Sequence, residues 1–225
     1  MSERTGELPE GTVAWFHSFA RWIGSWLHTP FYRVRVHGVD RVPRTGAVLL
    51  VANHSSMLEP QLIFGRIPRS AVFLVKQEMF GGVKGRLLTA IGQLSIRRGE
   101  ADRKPLLAAV GVLRAGGVVG VFPEGTRGDG DVLNAEQGVA WLARSSEALV
   151  LPVACRGSKR PAGSGRRFRP VVDLLIGEPF GLEVGRGRSG LATATEEIRT
   201  ALARLVSELD EMRAGRSAGA RGENI

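Results

Sequence analysis

The chain has 225 residues, enough for one sizeable domain with its own core. Its 43% hydrophobic content excludes global disorder, and the single cysteine, Cys155, excludes an intramolecular disulfide and is best used as a small buried apolar group. Lys and Arg outnumber Asp and Glu by 31 to 22, a net charge of +9 that favours an anionic partner without choosing among nucleic acid, an acidic membrane surface and a phosphorylated substrate.

The acidic, polar N-terminus does not read as a signal peptide. Residues 11–29 read as a helix. Trp15, Phe19, Trp22, Ile23, Trp26 and Leu27 recur at three- and four-residue intervals, broken mainly by His17, Arg21 and His28. Such a face fits either a helix packed on the core or an interfacial helix, since tryptophan favours the headgroup boundary. Residues 32–37 alternate like a half-exposed strand, and residues 47–52 form a fully apolar one. The longest uncharged stretches, residues 22–32 and 45–58, fall short of the ~18 residues a membrane span needs.

Next comes Asn53-His54-Ser55-Ser56-Met57-Leu58-Glu59-Pro60. A polar cluster directly after a buried strand is where α/β proteins put chemistry. Histidine is the usual general base near neutral pH. If the chain turns after His54, with Pro60 at the start of a helix, Glu59 can accept from Nδ1–H and leave Nε2 as the base. By itself this pair is at chance level.

Residues 71–75 are a strand ending at Lys76, 77–91 a helix interrupted by Gly81, Gly82 and Gly85, and 94–96 a short strand leading into Arg97 and Arg98. Residues 103–115 read as a helix and 118–122 as a strand that Pro123 terminates. Phe122-Pro123-Glu124-Gly125-Thr126-Arg127 then exposes a carboxylate, a bare backbone and an arginine at the strand's end, a set suited to phosphate oxygens. Arg97 or Arg98 could serve the same anion. Residues 135–144 form a helix and 149–154 a strand. Residues 156–170 form a basic loop carrying Arg156, Lys159, Arg160, Arg166, Arg167 and Arg169, either a solvated connection or a contact with an anionic surface. Residues 171–176 are a strand. Thr193 with Glu196 suggests a capping box, followed by the stripe Ile198, Leu202, Leu205, Leu209, Met212. The tail from Ala214 is expected to be disordered.

Strands alternating with helices predict an α/β fold: a single domain with a mainly parallel central sheet flanked by helices, plus the N-terminal amphipathic Trp-rich helix. The expected division is residues 1–31 for that helix, 32–213 for the main domain and 214–225 for the tail.

In this order, the three motifs resemble the glycerolipid acyltransferase family, which includes the 1-acylglycerol-3-phosphate acyltransferases. The matching segments are Asn53-His54 to Glu59, Gly92 to Arg98, Phe122 to Arg127, and Val150-Leu151-Pro152-Val153; Gly177-Glu178-Pro179 also fits, and the likeness runs from about residue 32 to about 210. Glu59 stands where the family usually has aspartate, Ser95 where an aromatic is common, and residues 135–138 where members often carry a lysine.

The resemblance implies transfer of a fatty acyl group from acyl-CoA or acyl carrier protein to the hydroxyl of lysophosphatidic acid, with no cofactor beyond the thioester co-substrate and no metal. It implies His54 and Glu59 as catalytic residues. Arg97, Arg98, Glu124, Gly125, Thr126 and Arg127 would bind the acceptor, and Lys76 or amides near Gly125 would meet the oxyanion. The partners are then a lysophospholipid, an acyl thioester and a membrane surface, the protein lying peripherally on the cytoplasmic face. A different lysolipid acceptor, or a catalytically weak lipid-binding homologue in which Glu59 fails, are the alternatives. Nucleic acid is disfavoured because the aromatics cluster in one helix rather than interleaving with basic residues. No P-loop or metal-ligand spacing occurs in the sequence, and Gly-x-Ser-x-Gly occurs at residues 215–219 in the tail, after no apolar strand, so it makes no nucleophile elbow.

Overall fold

The computed structural model describes residues 8–97, 103–124, 130–132, 135–159, 163, 165 and 168–222. Seven strands make one sheet: β1 (Arg33–His37), β2 (Val48–Ala52), β3 (Ala71–Lys76), β4 (Leu94–Ile96), β5 (Val118–Val121), β6 (Leu149–Arg156) and β7 (Val171–Ile176). Their order is β1-β7-β6-β2-β5-β3-β4. Every neighbouring pair is parallel except β6 with β7. The sheet is therefore mainly parallel, and the C-terminal ends of β2, β3, β4, β5 and β6 share one edge.

The central strands are apolar on both sides because both faces are covered. All five residues of β2 are buried. Leu50 and Ala52 face helix α2 (Leu58–Arg66), through its Leu62, Ile63 and Phe64. Leu49 and Val51 face α4 (Arg103–Arg114) and α5 (Gly138–Ser146). The last helix, α6 (Gly187–Gly222), lays Leu202, Leu205, Val206 and Leu209 against Ala154 of β6 and Leu175 of β7.

Residues 77–91 divide at the glycines into a 3-10 turn (Gln77–Phe80) and α3 (Gly82–Ala90), as their glycine content suggested. Two expectations are corrected in α6. The helix starts six residues before Thr193, so no capping box forms there; Thr195 instead returns its hydroxyl to Leu191 O at 2.8 Å. The helix also continues past Ala214 to Gly222, prolonging a helix already held by its buried stripe.

The N-terminal helix α1 (Ala14–Trp26) docks by its polar residues. His17 is fully buried, with Nδ1 2.7 Å from Ile91 O and its ring edge-on to Phe64. The Arg21 guanidinium donates to Phe64 O at 3.3 Å and Ile67 O at 2.5 Å, satisfying carbonyls that the end of α2 leaves open. The aromatic side faces out: Trp15, Trp22 and Trp26 are 71%, 62% and 61% exposed. The residues that read as interruptions are thus the docking face.

The crossing of α1 on α2 depends on glycine. A Cβ on Gly65 would stand 2.5 Å from the Gly24 carbonyl carbon and 2.6 Å from the Ser25 nitrogen. Gly65→Val should therefore push α1 away. It is expected to lower stability by about 1–3 kcal/mol in urea unfolding and to open the chain to trypsin after Arg21; a wild-type cleavage pattern would show that the close approach is dispensable.

Candidate active site

His54 stands two residues past the end of β2, at the shared C-terminal edge of the sheet. The chain then turns into α2, with Pro60 in the first turn, where its missing N–H costs nothing. That turn sets Glu59 beneath the imidazole, with Nδ1 3.0 Å from Oε2. Oε2 also accepts the backbone N–H of Ser55 at 2.7 Å and of Ser56 at 3.1 Å. Oε1 accepts the hydroxyls of Ser55 at 2.5 Å and Ser158 at 2.7 Å.

Glu59 is completely buried. Burial alone would push its carboxyl up. The donors His54, Ser158, Ser55 and the Ser56 amide outweigh that and hold it below the usual carboxylate value. The N-terminal end of α2 favours the same negative charge. A carboxylate can only accept, so the His54 proton sits on Nδ1 and the lone pair on Nε2. The pair is built to present one basic nitrogen.

The surrounding residues hold the imidazole in place. Phe122 packs a ring 4.5 Å from that of His54, and Phe73 stacks on Phe122 at 5.9 Å. Phe73 fits because residue 120 has no side chain; a Cβ there would fall 2.3 Å from the Phe73 ring. Glu124, after β5, accepts the backbone N–H of His54 at 3.1 Å. Burial pushes its carboxyl up, the His54 amide and imidazole oppose that, and the Glu59 charge adds to it.

Asn53 is fully buried and acts as a clamp. Its amide donates to Gly130 O and Cys155 O, both at 3.0 Å, and its carbonyl accepts Cys155 N–H at 2.7 Å. It ties the end of β2 to β6. Burial pushes the Cys155 thiol well up, which removes it as a nucleophile.

The residues expected from the sequence are only partly brought together. His54, Glu59 and Glu124 meet. Lys76 lies exposed at the end of β3 on the same edge, two strands from β2, a lateral separation of about 10 Å. Arg97 follows β4, one strand further out, and its Nε donates to Gln77 Oε1. Arg98, Gly125, Thr126 and Arg127 lie outside the described residues. Sequence reasoning missed the clamp of Asn53 and the two serines on Glu59. Asn53 had a signal, being the polar residue directly after a buried strand; Ser158 had none. Arg156, read as part of a basic surface loop, turns inward. It pairs with Asp210 at 2.9 Å and Asp131 at 2.7 Å.

A family model described as "Acyltransferase" matches residues 33–156, more than half of the chain. The chain belongs to the acyltransferase family. It is 25% identical over 185 residues to the 1-acyl-sn-glycerol-3-phosphate acyltransferase of Bacillus subtilis, covering 80% of this chain and 91% of that one. To the human 1-acyl-sn-glycerol-3-phosphate acyltransferase beta it is 28% identical over 147 residues, 63% of this chain and half of the human protein. The crystal structure of the 1-acyl-sn-glycerophosphate acyltransferase from Thermotoga maritima superposes with a TM-score of 0.65 at 28% identity, covering 88% of this chain and 79% of that one.

Proposed function

We propose that this acyltransferase transfers a fatty acyl group from acyl-CoA or acyl carrier protein to the free hydroxyl of lysophosphatidic acid. The observation that carries the reading is the contact of His54 Nδ1 with a buried, charged Glu59. His54 Nε2 takes the acceptor's hydroxyl proton as its oxygen attacks the thioester carbonyl carbon. The C–O bond forms, the C–S bond breaks, and the proton passes from Nε2 to the leaving thiolate. Glu59 stabilises the imidazolium between those two events. The Ser55 hydroxyl is engaged by Glu59 on the Nδ1 side, so the acyl group goes directly to the acceptor without an acyl-enzyme. Glu124 is best read as holding the His54 backbone, while Arg97, Arg98, Gly125, Thr126 and Arg127 are proposed to bind the acceptor's phosphate. Lys76 and the amides near Gly125 remain the proposed oxyanion donors.

No helix among the described residues is long and apolar enough to cross a membrane. We read α1 as the membrane contact, with the protein peripheral on the cytoplasmic face. Its docking by His17 and Arg21 leaves three tryptophans turned outward. Joint replacement of Trp15, Trp22 and Trp26 by serine should weaken sedimentation with anionic vesicles by about tenfold or more; undiminished binding would remove α1 from this role.

The function is tested by supplying purified protein with lysophosphatidic acid and each thioester in turn. Phosphatidic acid is the expected product. Transfer only to other lysolipids in an acceptor panel would move the assignment to that acceptor, and no transfer to any would leave a lipid-binding homologue. The completeness of the shell around Glu59 favours a competent site.

A further inference from the structure

Ser158 lies just beyond β6, 99 residues along the chain from Glu59. Its hydroxyl donates to Glu59 Oε1 at 2.7 Å and stands 3.3 Å from the Ser55 hydroxyl, which serves the same oxygen. The other four donors to Glu59 all come from residues 54–56, so Ser158 is the one anchor that enters from another part of the sheet edge.

Glutamate has one more rotatable bond than aspartate, so its carboxylate needs one more constraint to keep a lone pair aimed at Nδ1. We propose that Ser158 is a positioning residue that adapts this site to glutamate at position 59. It fixes the plane of the carboxylate by gripping Oε1 while Oε2 serves His54. The proposal rests on the dyad reading above. Ser158 touches Glu59 rather than the reacting atoms, so its effect should reach the reaction only through that carboxylate.

The test compares wild type, Ser158→Ala, Ser158→Thr, Glu59→Asp and Glu59→Asp with Ser158→Ala. Two readouts are taken: kcat and KM for acyl transfer, and the downfield Nδ1–H proton resonance of His54 in the free protein. Ser158→Ala should lower kcat about tenfold with both KM values little changed, and Ser158→Thr should keep most of the rate. In the Glu59→Asp background the carboxylate ends about 1.5 Å short, and removing the Ser158 hydroxyl should then change kcat by less than about twofold. An equal loss in both backgrounds would mean that the hydroxyl serves the loop, and it would overturn the proposal, as would a wild-type kcat in Ser158→Ala. The resonance decides the matter even if no acceptor is acylated and the dyad reading itself fails. A shift or loss of the Nδ1–H signal in Ser158→Ala supports the positioning role, and an unchanged signal overturns it.

Discussion

Replacing His54 with alanine is expected to lower acyl transfer by about 10³-fold. One ring nitrogen is committed to Glu59, so the other is the single basic atom that the pair presents. In the proposed mechanism it is used twice, to accept the hydroxyl proton and to return it to the thiolate, and both steps pass through charged transition states. The loss should fall on kcat, with KM for acceptor and donor nearly unchanged. The fold should survive. Glu59 keeps four other donors, from Ser55, Ser56 and Ser158, and the His54 backbone remains tied to Glu124. Added imidazole should restore part of the rate by occupying the space between Glu59 and Phe122. Undiminished transfer by the variant would sink the mechanism.

Parts of this site were legible in the sequence because they are local. The five-residue spacing from His54 to Glu59 needs only one turn to close, and the apolar runs that became β2, β5 and β6 fixed where that turn would stand. Helix α2 was nearly invisible: it is nine residues long, has glycine at its contact with α1, and announced itself only through Pro60. The outward turn of the tryptophans could not be read from spacing. Three- and four-residue intervals define a face but not its direction, and here two polar side chains claimed the inward side because α2 and the segment at Ile91 offered carbonyls to them. The anchoring of Glu59 by Ser158 joins residues 99 apart and has no local signature. Long-range polar contacts of this kind decide the electrostatics of the site, and periodicity carries nothing about them.

The two neutral replacements of Glu59 should part company. In Glu59→Gln the amide can place its oxygen at the Oε2 position, still accepting His54 Nδ1–H and the Ser55 and Ser56 amides. Its NH₂ then faces the Ser55 and Ser158 hydroxyls, which can rotate to accept. Stability at neutral pH should change little. The charge that stabilises the imidazolium is gone, however, and kcat should fall about 10²-fold. Glu59→Ala instead strands the partly buried backbone amides of the turn and should cost about 2–3 kcal/mol in urea unfolding. Acid separates the variants further. The Glu59 carboxyl is held below its ordinary value of 4.5, so its contribution is fully present above that pH and is lost as pH falls through the folded-state value. Glu59→Gln should show a shallower loss of stability below about pH 4.5 than wild type, because nothing at position 59 is left to protonate. Glu124 carries the opposite sign. Burial raises its carboxyl, so its charge opposes folding at neutral pH, and the opposition is lifted as pH falls through its folded-state value. Glu124→Gln should therefore raise stability at neutral pH and lose that advantage in mild acid. Matching acid limbs in wild type and Glu59→Gln would mean that folding does not lower the Glu59 carboxyl, so that its donors do not favour the charged form.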